Sequence, residues 1–218
     1  MLLAIQNFFE YTGTITVDGR DIRGIPRHIL RKNILTMPKK GVILDGTLRF
    51  NLEPYSITKS IPPSRRLSDE YIISVLQRMR LWQHIEARGG TLDSELSELR
   101  LGPEQKQLVS IARVILRKTQ GPVCLLLNDC ATDNLHPDTA DAVESIIDDT
   151  FHSCTILTVS SRPRAEAKAE VVVKMRAGRI AGTFANGAPI DMDPYAFLKD
   201  LPWLSPSIRH RVRMAYRN

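Results

Sequence analysis

The sequence predicts an α/β fold, a parallel sheet core with an antiparallel β hairpin beside it. Three observations lead there. Two apolar, β-rich runs, Val123–Leu127 and Cys154–Val159, are separated by a helix-periodic stretch, Asp138–Asp149. Buried strands alternating with amphipathic helices make parallel sheets. A second stretch, opened by Gly102-Pro103, stays helix-periodic until Lys118–Gly121; proline suits a first helical position because the amide it lacks would be unpaired there anyway. Finally, Val171–Met175 and Arg179–Phe184 flank Ala177-Gly178, a hairpin signal.

In chain order, Leu2–Tyr11 carries apolar residues at Leu2, Leu3, Ile5, Phe8 and Phe9, a spacing that fits one helical face, and Thr12-Gly13 breaks it. Thr14–Val17 and the return at Asp21-Ile22 surround Asp18-Gly19, a strong turn pair. His28–Arg31 predicts a short helical turn and Asn33–Met37 a strand. Pro38 to Gly41 is a loop with two lysines. Gly46–Asn51 predicts a short helix, capped by Gly46-Thr47, that stops before Pro54. Ser56–Leu67, with Pro62 and Pro63, reads as a surface loop.

Ser68-Asp69-Glu70 then starts a helix, because the serine oxygen can accept from an orphan amide and the acids suit the positive end of the dipole. Ile72, Ile73, Val75, Leu76 and Met79 form its apolar stripe, and Leu81–Ala87 continues as a second helical piece. In the Asp138–Asp149 helix, Ala142, Val143, Ile146 and Ile147 are read as facing inward. Further helical turns are predicted at Ala165–Ala169, Tyr195–Leu198 and Ser207–Tyr216.

Composition narrows the function classes. The chain has 218 residues, 43% of them hydrophobic and 25% charged, which suits one soluble domain with room for a tail. No apolar run approaches the length of a membrane span. The first ten residues lack the pattern of a secretory leader, so a cytoplasmic protein with reduced thiols at Cys124, Cys130 and Cys154 is expected. Net charge is +6, and Arg209, His210, Arg211, Arg213 and Arg217 crowd the last ten residues. A solvated tail is the simpler reading and a nucleic-acid-binding arm the alternative. No base-stacking aromatic pattern favours nucleic acid.

The chemistry-bearing stretch is Leu99–Thr139. There the apolar strand Val123–Leu127 climbs to Asn128-Asp129-Cys130, and open α/β sheets place ligand chemistry at the carboxyl ends of their strands. Several segments in order now carry a family resemblance: Gly13–Ile22, GTITVDGRDI; Gly46–Pro54, GTLRFNLEP; Leu108–Arg117, LVSIARVILR; and Asp129–Thr139. Over roughly Leu2–Phe184 the chain resembles the ATP-binding cassette domain of ABC transporters, of the C subfamily (multidrug-resistance-associated type), second copy.

That resemblance implies a P-loop NTPase-like cassette remnant. It implies a nucleotide-binding domain over residues 1–186, a helical subdomain over about 56–118 and a basic tail over 187–218. It also implies ATP and Mg²⁺ as cofactors. Another cassette or a transporter membrane domain would be the partner, which would associate the chain with a membrane. The parent transporter would export organic anions or other metabolites.

Motif positions assign roles by resemblance. No GxxxxGK[ST] phosphate cradle occurs in the sequence, so the resemblance implies a chain that begins just after its Walker A. One of the family's upstream strands lies at the sheet centre, and its loss predicts open strand edges and an isolated chain that is poorly soluble or needs a partner. Lys39 stands at the Q-loop glutamine. Gly102-Pro103-Glu104-Gln105 stands at the signature, so Gln105 alone survives as a nucleotide-binding position. Asp129 stands at Walker B as a Mg²⁺ ligand through water.

Cys130 stands at the catalytic glutamate, and a neutral thiol is no substitute for a general base; a buried, inert thiol is expected. His136 stands at the D-loop aspartate, as a surface-loop residue, and Ser161 at the switch histidine. The expectation is a degenerate nucleotide-binding domain without ATPase activity of its own. The alternatives are an ATP-hydrolysing subunit or fragment and a basic nucleic-acid-binding protein.

Overall fold

The computed structural model describes residues 2–17, 19–55, 66–160, 168–185, 187–189 and 211–216. Most of the expected helix at Ala165–Ala169, the one at Tyr195–Leu198, most of the Ser56–Leu67 loop and Ser161 lie outside the described residues. The chain divides into two compact units: residues 1–36, 123–130 and 151–218 in the first, and residues 37–122 and 131–150 in the second.

The first unit is built on a sheet. α1 spans Leu2–Ile5, much shorter than the periodicity predicted. The helix ends because Asn7 adopts φ +55, the left-handed region that stops helices and that asparagine tolerates. Phe8 and Phe9 are consequently exposed, and the Arg31 guanidinium lies over the Phe8 ring, 3.9 Å from its centroid. β1 (Thr16–Val17) and β2 (Arg20–Asp21) form the expected antiparallel pair. α2 (Arg27–Asn33) leads to β3 (Ile34–Met37), again as the sequence predicted.

β4 (Leu125–Asp129) and β5 (Thr155–Ser160) run parallel, Leu125 opposite Thr155 through Asp129 opposite Val159. β6 (Val171–Arg176) and β7 (Arg179–Ala185) are the predicted hairpin. Ala177 and Gly178 both take positive φ, +48 and +76, which is the twist of the tight turns that join antiparallel strands. β8 (Ala188–Pro189) adds a short antiparallel edge.

One strand departs from the sequence reading. Residues Arg211–Tyr216, read as part of a helix, form β9. It lies between β5 and β6 in the order β3-β4-β5-β9-β6-β7-β8. The open edges expected at the sheet centre are therefore absent among the described strands, since β5 and β6 both pair with β9. A six-residue segment has no intrinsic preference strong enough to resist a ladder on both flanks. Beneath the sheet, Val17, Ile22, Leu30, Ile34, Leu125, Leu127, Leu157 and Val173 form one apolar cluster.

The second unit is helical: α3 (Leu48–Leu52), α4 (Asp69–Arg78), α5 (Trp82–Glu86), α6 (Pro103–Thr119) and α7 (Pro137–Thr150). The caps are those the sequence named. Thr47 Oγ1 accepts from Phe50 N at 3.1 Å, and Ser68 Oγ from Tyr71 N at 3.3 Å. α6 packs with α3, α4 and α7, and Ile72, Leu76, Met79, Ile85, Ile111 and Leu116 are fully buried. Along α7, Val143, Ile146 and Ile147 are buried as expected, whereas Ala140 takes the inward place and Ala142 is half-buried. Among the described residues no helix is long and apolar enough to cross a membrane.

Candidate functional site

The candidate chemistry falls in both units. In the first unit, β4 rises through buried Leu125, Leu126, Leu127 and Asn128 and ends at half-buried Asp129. The apolar run has no freedom to end earlier, because each residue is matched to β5. Cys130 follows with φ +50, and its backbone N donates to Val159 O at 2.9 Å. A left-handed backbone on a residue with a Cβ persists only where its surroundings fix it, and here the bond to the adjacent strand does so. The Cys130 side chain is half-buried, not fully buried as expected, because the backbone leaves the sheet at this residue.

In the second unit, the N-terminus of α6 carries the signature-like residues. Gly102 is the N-cap without a capping side chain, and Pro103 follows in the first turn. A Cβ on Gly102 would come within 2.7 Å of Gln105 Oε1. The Gln105 side chain thus folds back onto the cap, where a Cβ at position 102 would have to displace only its flexible end. Glu104 occupies the first turn, and its Oε1 accepts from the backbone N of His136 at 3.0 Å. His136 is exposed, and its carbonyl accepts from Ala140 N at 2.8 Å at the start of α7. Glu104 therefore ties the start of α6 to the start of α7.

Two polar residues that sequence reasoning passed over hold this unit together. Gln107 is buried, and its Nε2 donates to Pro38 O and to Ala131 O, both at 2.9 Å. Asn51 is fully buried: its Oδ1 accepts from Leu44 N at 2.8 Å, and its Nδ2 donates to Leu44 O and Thr47 O. The Arg113 guanidinium donates to Asn51 O at 2.5 Å and to Asn51 Oδ1 at 3.2 Å. Burial pushes the Arg113 pKa down. The available signal was composition: an amide inside an otherwise apolar helical face is out of place unless it is bonded.

The loop after Lys40 lies flat on α6. A Cβ on Gly41 would meet Lys106 O at 2.7 Å, and Val42 N donates to Ser110 Oγ at 3.3 Å. Lys39, just before, is exposed, as a solvated loop lysine should be. Beside this loop an open cavity of about 360 Å³ is lined by Ile43, Asp45, Glu95, Arg100, Leu101 and Lys106 among others.

The residues present fit a phosphate ligand poorly. A helix N-terminus attracts anions through unpaired amides and a partial positive charge. At α6, proline removes one amide and the Glu104 carboxylate supplies the anion from within the chain. For a divalent cation, Asp129 offers one carboxylate, and among the described residues no three His, Cys, Asp or Glu side chains gather as a metal site.

The chain is similar to known transporters. It is 32% identical over 174 residues to "Probable multidrug resistance-associated protein lethal(2)03659" of Drosophila melanogaster, covering 78% of this chain and 12% of that protein. It is 31% identical over 182 residues to human "ATP-binding cassette sub-family C member 4", covering 83% of this chain and 13% of that protein. A fungal relative, "ABC multidrug transporter lscH" of Purpureocillium lilacinum, is 41% identical over 113 residues, half of this chain and 7% of that protein. The chain thus spans about an eighth of the length of the first of these curated relatives.

No protein-family model matches the chain. Among solved structures, a bacterial Atm1-family ABC exporter with ATP bound shares the fold, with a TM-score of 0.70 and 20% identity over 93% of this chain and 32% of the exporter chain. With the ordered segments Gly13–Ile22, Gly46–Pro54, Leu108–Arg117 and Asp129–Thr139 set on that fold, this chain belongs to the ATP-binding cassette domains of the ABC transporters, in the C subfamily of multidrug-resistance-associated type.

Proposed function

We propose that this chain is a nucleotide-binding-domain segment with no ATPase activity of its own. In this reading it serves as a non-catalytic cassette beside another cassette or a transporter membrane domain, at the cytoplasmic face of a membrane. The observation that carries the reading is the Glu104–His136 bond at the start of α6. A carboxylate already occupies the positive end of the helix and is held there by a backbone amide, so a phosphate arriving at that end meets a like charge. Cys130 supports the same reading. The position after Asp129 bears a thiol with no carboxylate to take a proton from water, a loss of about 10²–10⁴-fold where a general base acts.

Asp129 is the residue that would hold a Mg²⁺ ion, through water, and Gln105 the remaining nucleotide-facing position at the start of α6. ATP would supply the phosphoanhydride bond that working cassettes hydrolyse. The exported class, organic anions or other metabolites, belongs to this proposal by kinship with the multidrug transporters alone.

The test is direct. The purified 218-residue chain with millimolar ATP and Mg²⁺ should release no phosphate above a protein-free control. Turnover that disappears in Asp129→Ala would overturn the reading in favour of an active ATPase. Affinity for oligonucleotides that falls steeply with salt would instead favour the nucleic-acid alternative.

A further inference from the structure

The turn of the β6–β7 hairpin gathers positive charge. Arg176 and Arg179 stand directly opposite each other as the last pair of the ladder. Lys174 lies two residues back along β6, on the same face. All three residues are exposed. Like charges in direct cross-strand opposition destabilise a hairpin, so the fold alone gives no reason for this pair. Among the described residues no carboxylate pairs with Lys174, Arg176 or Arg179. The one acid between residues 168 and 185 is Glu170. Six residues of extended strand, about 20 Å, separate it from Arg176.

The patch is held in position by the strands beneath it. Val173, Met175 and Ile180 belong to the apolar cluster of the sheet, so alternation along β6 turns Lys174 and Arg176 to the other face. There the Phe184 ring packs beside Gly182, where a Cβ would meet it at 3.2 Å. The Lys174 ammonium sits over that ring, 4.6 Å from its centroid, a placement the ring's electrons favour. The turn itself is exposed Ala177-Gly178. Neither residue has a side chain long enough to keep a surface away from the flanking arginines.

Three cations on one face of a short turn suit an extended layer of negative charge. An anionic bilayer attracts every cation within a Debye length of its surface, about 10 Å at 0.1 M salt, without a shaped groove. Single-stranded nucleic acid is instead held by cations together with open aromatic faces on which bases stack. Here the face of the Phe184 ring is taken by Lys174. We infer that the β6–β7 turn docks on anionic phospholipid through Lys174, Arg176 and Arg179. This contact goes beyond the proposed loss of ATPase activity and does not depend on it.

The experiment is vesicle co-flotation of the 218-residue chain without nucleotide. The vesicles are phosphatidylcholine alone, or phosphatidylcholine with about 30 mol% phosphatidylserine, at about 0.1 M salt. Each basic group near such a surface strengthens binding about fivefold, so three together contribute about 100-fold. Binding should require phosphatidylserine and should disappear near 1 M salt, where the Debye length is about 3 Å. Lys174→Gln, Arg176→Gln and Arg179→Gln combined should lose about 100-fold in affinity. Lys174→Arg, Arg176→Lys and Arg179→Lys combined keep the charge and should stay within about threefold of the parent. Arg27→Gln, Lys32→Gln and Lys40→Gln combined remove the same charge from exposed positions elsewhere, and should also stay within about threefold. Arg176→Gln alone, which relieves the opposed pair and so spares the fold, should lose about fivefold.

Equal flotation on the two kinds of vesicle, or none on either, would overturn the inference. Equal losses in the hairpin and control variants would also overturn it, by placing the effect in net charge. So would an Arg176→Gln chain that binds as the parent does. A duplex oligonucleotide bound more tightly than the vesicles, through these same three residues, would assign the turn to nucleic acid instead.

Discussion

The middle of α6 and its first turn, a few residues apart on one helix, have opposite characters. From Gln107 to Arg113 every polar side chain named above is bonded into the unit: Gln107 to Pro38 and Ala131, Ser110 to Val42, Arg113 to Asn51. In the first turn the side chains bond to one another's neighbourhood and leave an incoming ligand little to use: Gln105 folds onto Gly102, Pro103 has no amide, and Glu104 is spent on His136. The lesson is that the packing half of the family pattern and its ligand half are separable. A helix keeps its place through buried amides and apolar contacts even when the end that would face a phosphate has changed its charge.

If that contrast is sound, damage should be large in the packing half. Asn51→Ala removes the partner of Leu44 N, Leu44 O and Thr47 O and leaves half-buried Arg113 with fewer acceptors. Unsatisfied buried groups cost about 1–3 kcal/mol each. A loss of about 3 kcal/mol in denaturant-monitored stability is expected, and a loss below about 1 kcal/mol would erase the distinction.

Glu53 gives an intermediate effect with a pH signature. It is buried and accepts from Gln120 Nε2 at 2.6 Å. Burial, the largest influence, lifts its pKa above the ordinary value, against the bond from Gln120 and the nearby Arg49 charge. The folded chain therefore holds this proton more tightly than the unfolded chain. The stability it contributes is complete below the ordinary glutamate range and is lost as pH rises through the folded value. Glu53→Gln keeps a hydrogen-bonding carbonyl and removes the charge, so Tm should rise by about 1–3 °C at neutral pH. The gain should shrink as pH falls below the ordinary glutamate range. A gain that persists unchanged in acid would rule out the charge as its source.

The smallest effect is expected in the first turn of α6. Glu104→Ala should change stability by about 0.5 kcal/mol or less, since partly exposed first-turn acids contribute little. A loss comparable to that of Asn51→Ala would mean that the Glu104–His136 bond is a structural tie of the same rank as the buried network.

Much of the scaffold was legible beforehand. Val123–Leu127 and Cys154–Val159 had to be buried strands, because short β-branched and leucine-rich runs between helices have nowhere else to go. Ser68 and Thr47 announced helix starts, and Ala177-Gly178 announced a hairpin, because capping and tight turns are decided within a few residues. Gln107 and Asn51 were not legible in the same way. Their partners, Pro38, Ala131, Leu44 and Arg113, are mostly distant in sequence, and an amide's value depends on what stands opposite it. Nor did the sequence show that Asn7 would cut the first helix short, since one residue's left-handed backbone outweighed a well-spaced apolar stripe.

The sequence by itself determined the kinship of this chain, the order of its helices and strands as far as the β6–β7 hairpin, and the identity of the residues at each chemical position: Asp129, Cys130, Glu104 and Gln105. These depend on side-chain type and local spacing, which the chain carries wherever it folds. Tertiary structure alone decided that Glu104 is bonded to His136, that Cys130 is bent out of its strand, and that Arg211–Tyr216 is a strand at the centre of a sheet. Each of those depends on a partner remote in the chain, and a hydrogen bond has no direction until both of its ends have been placed.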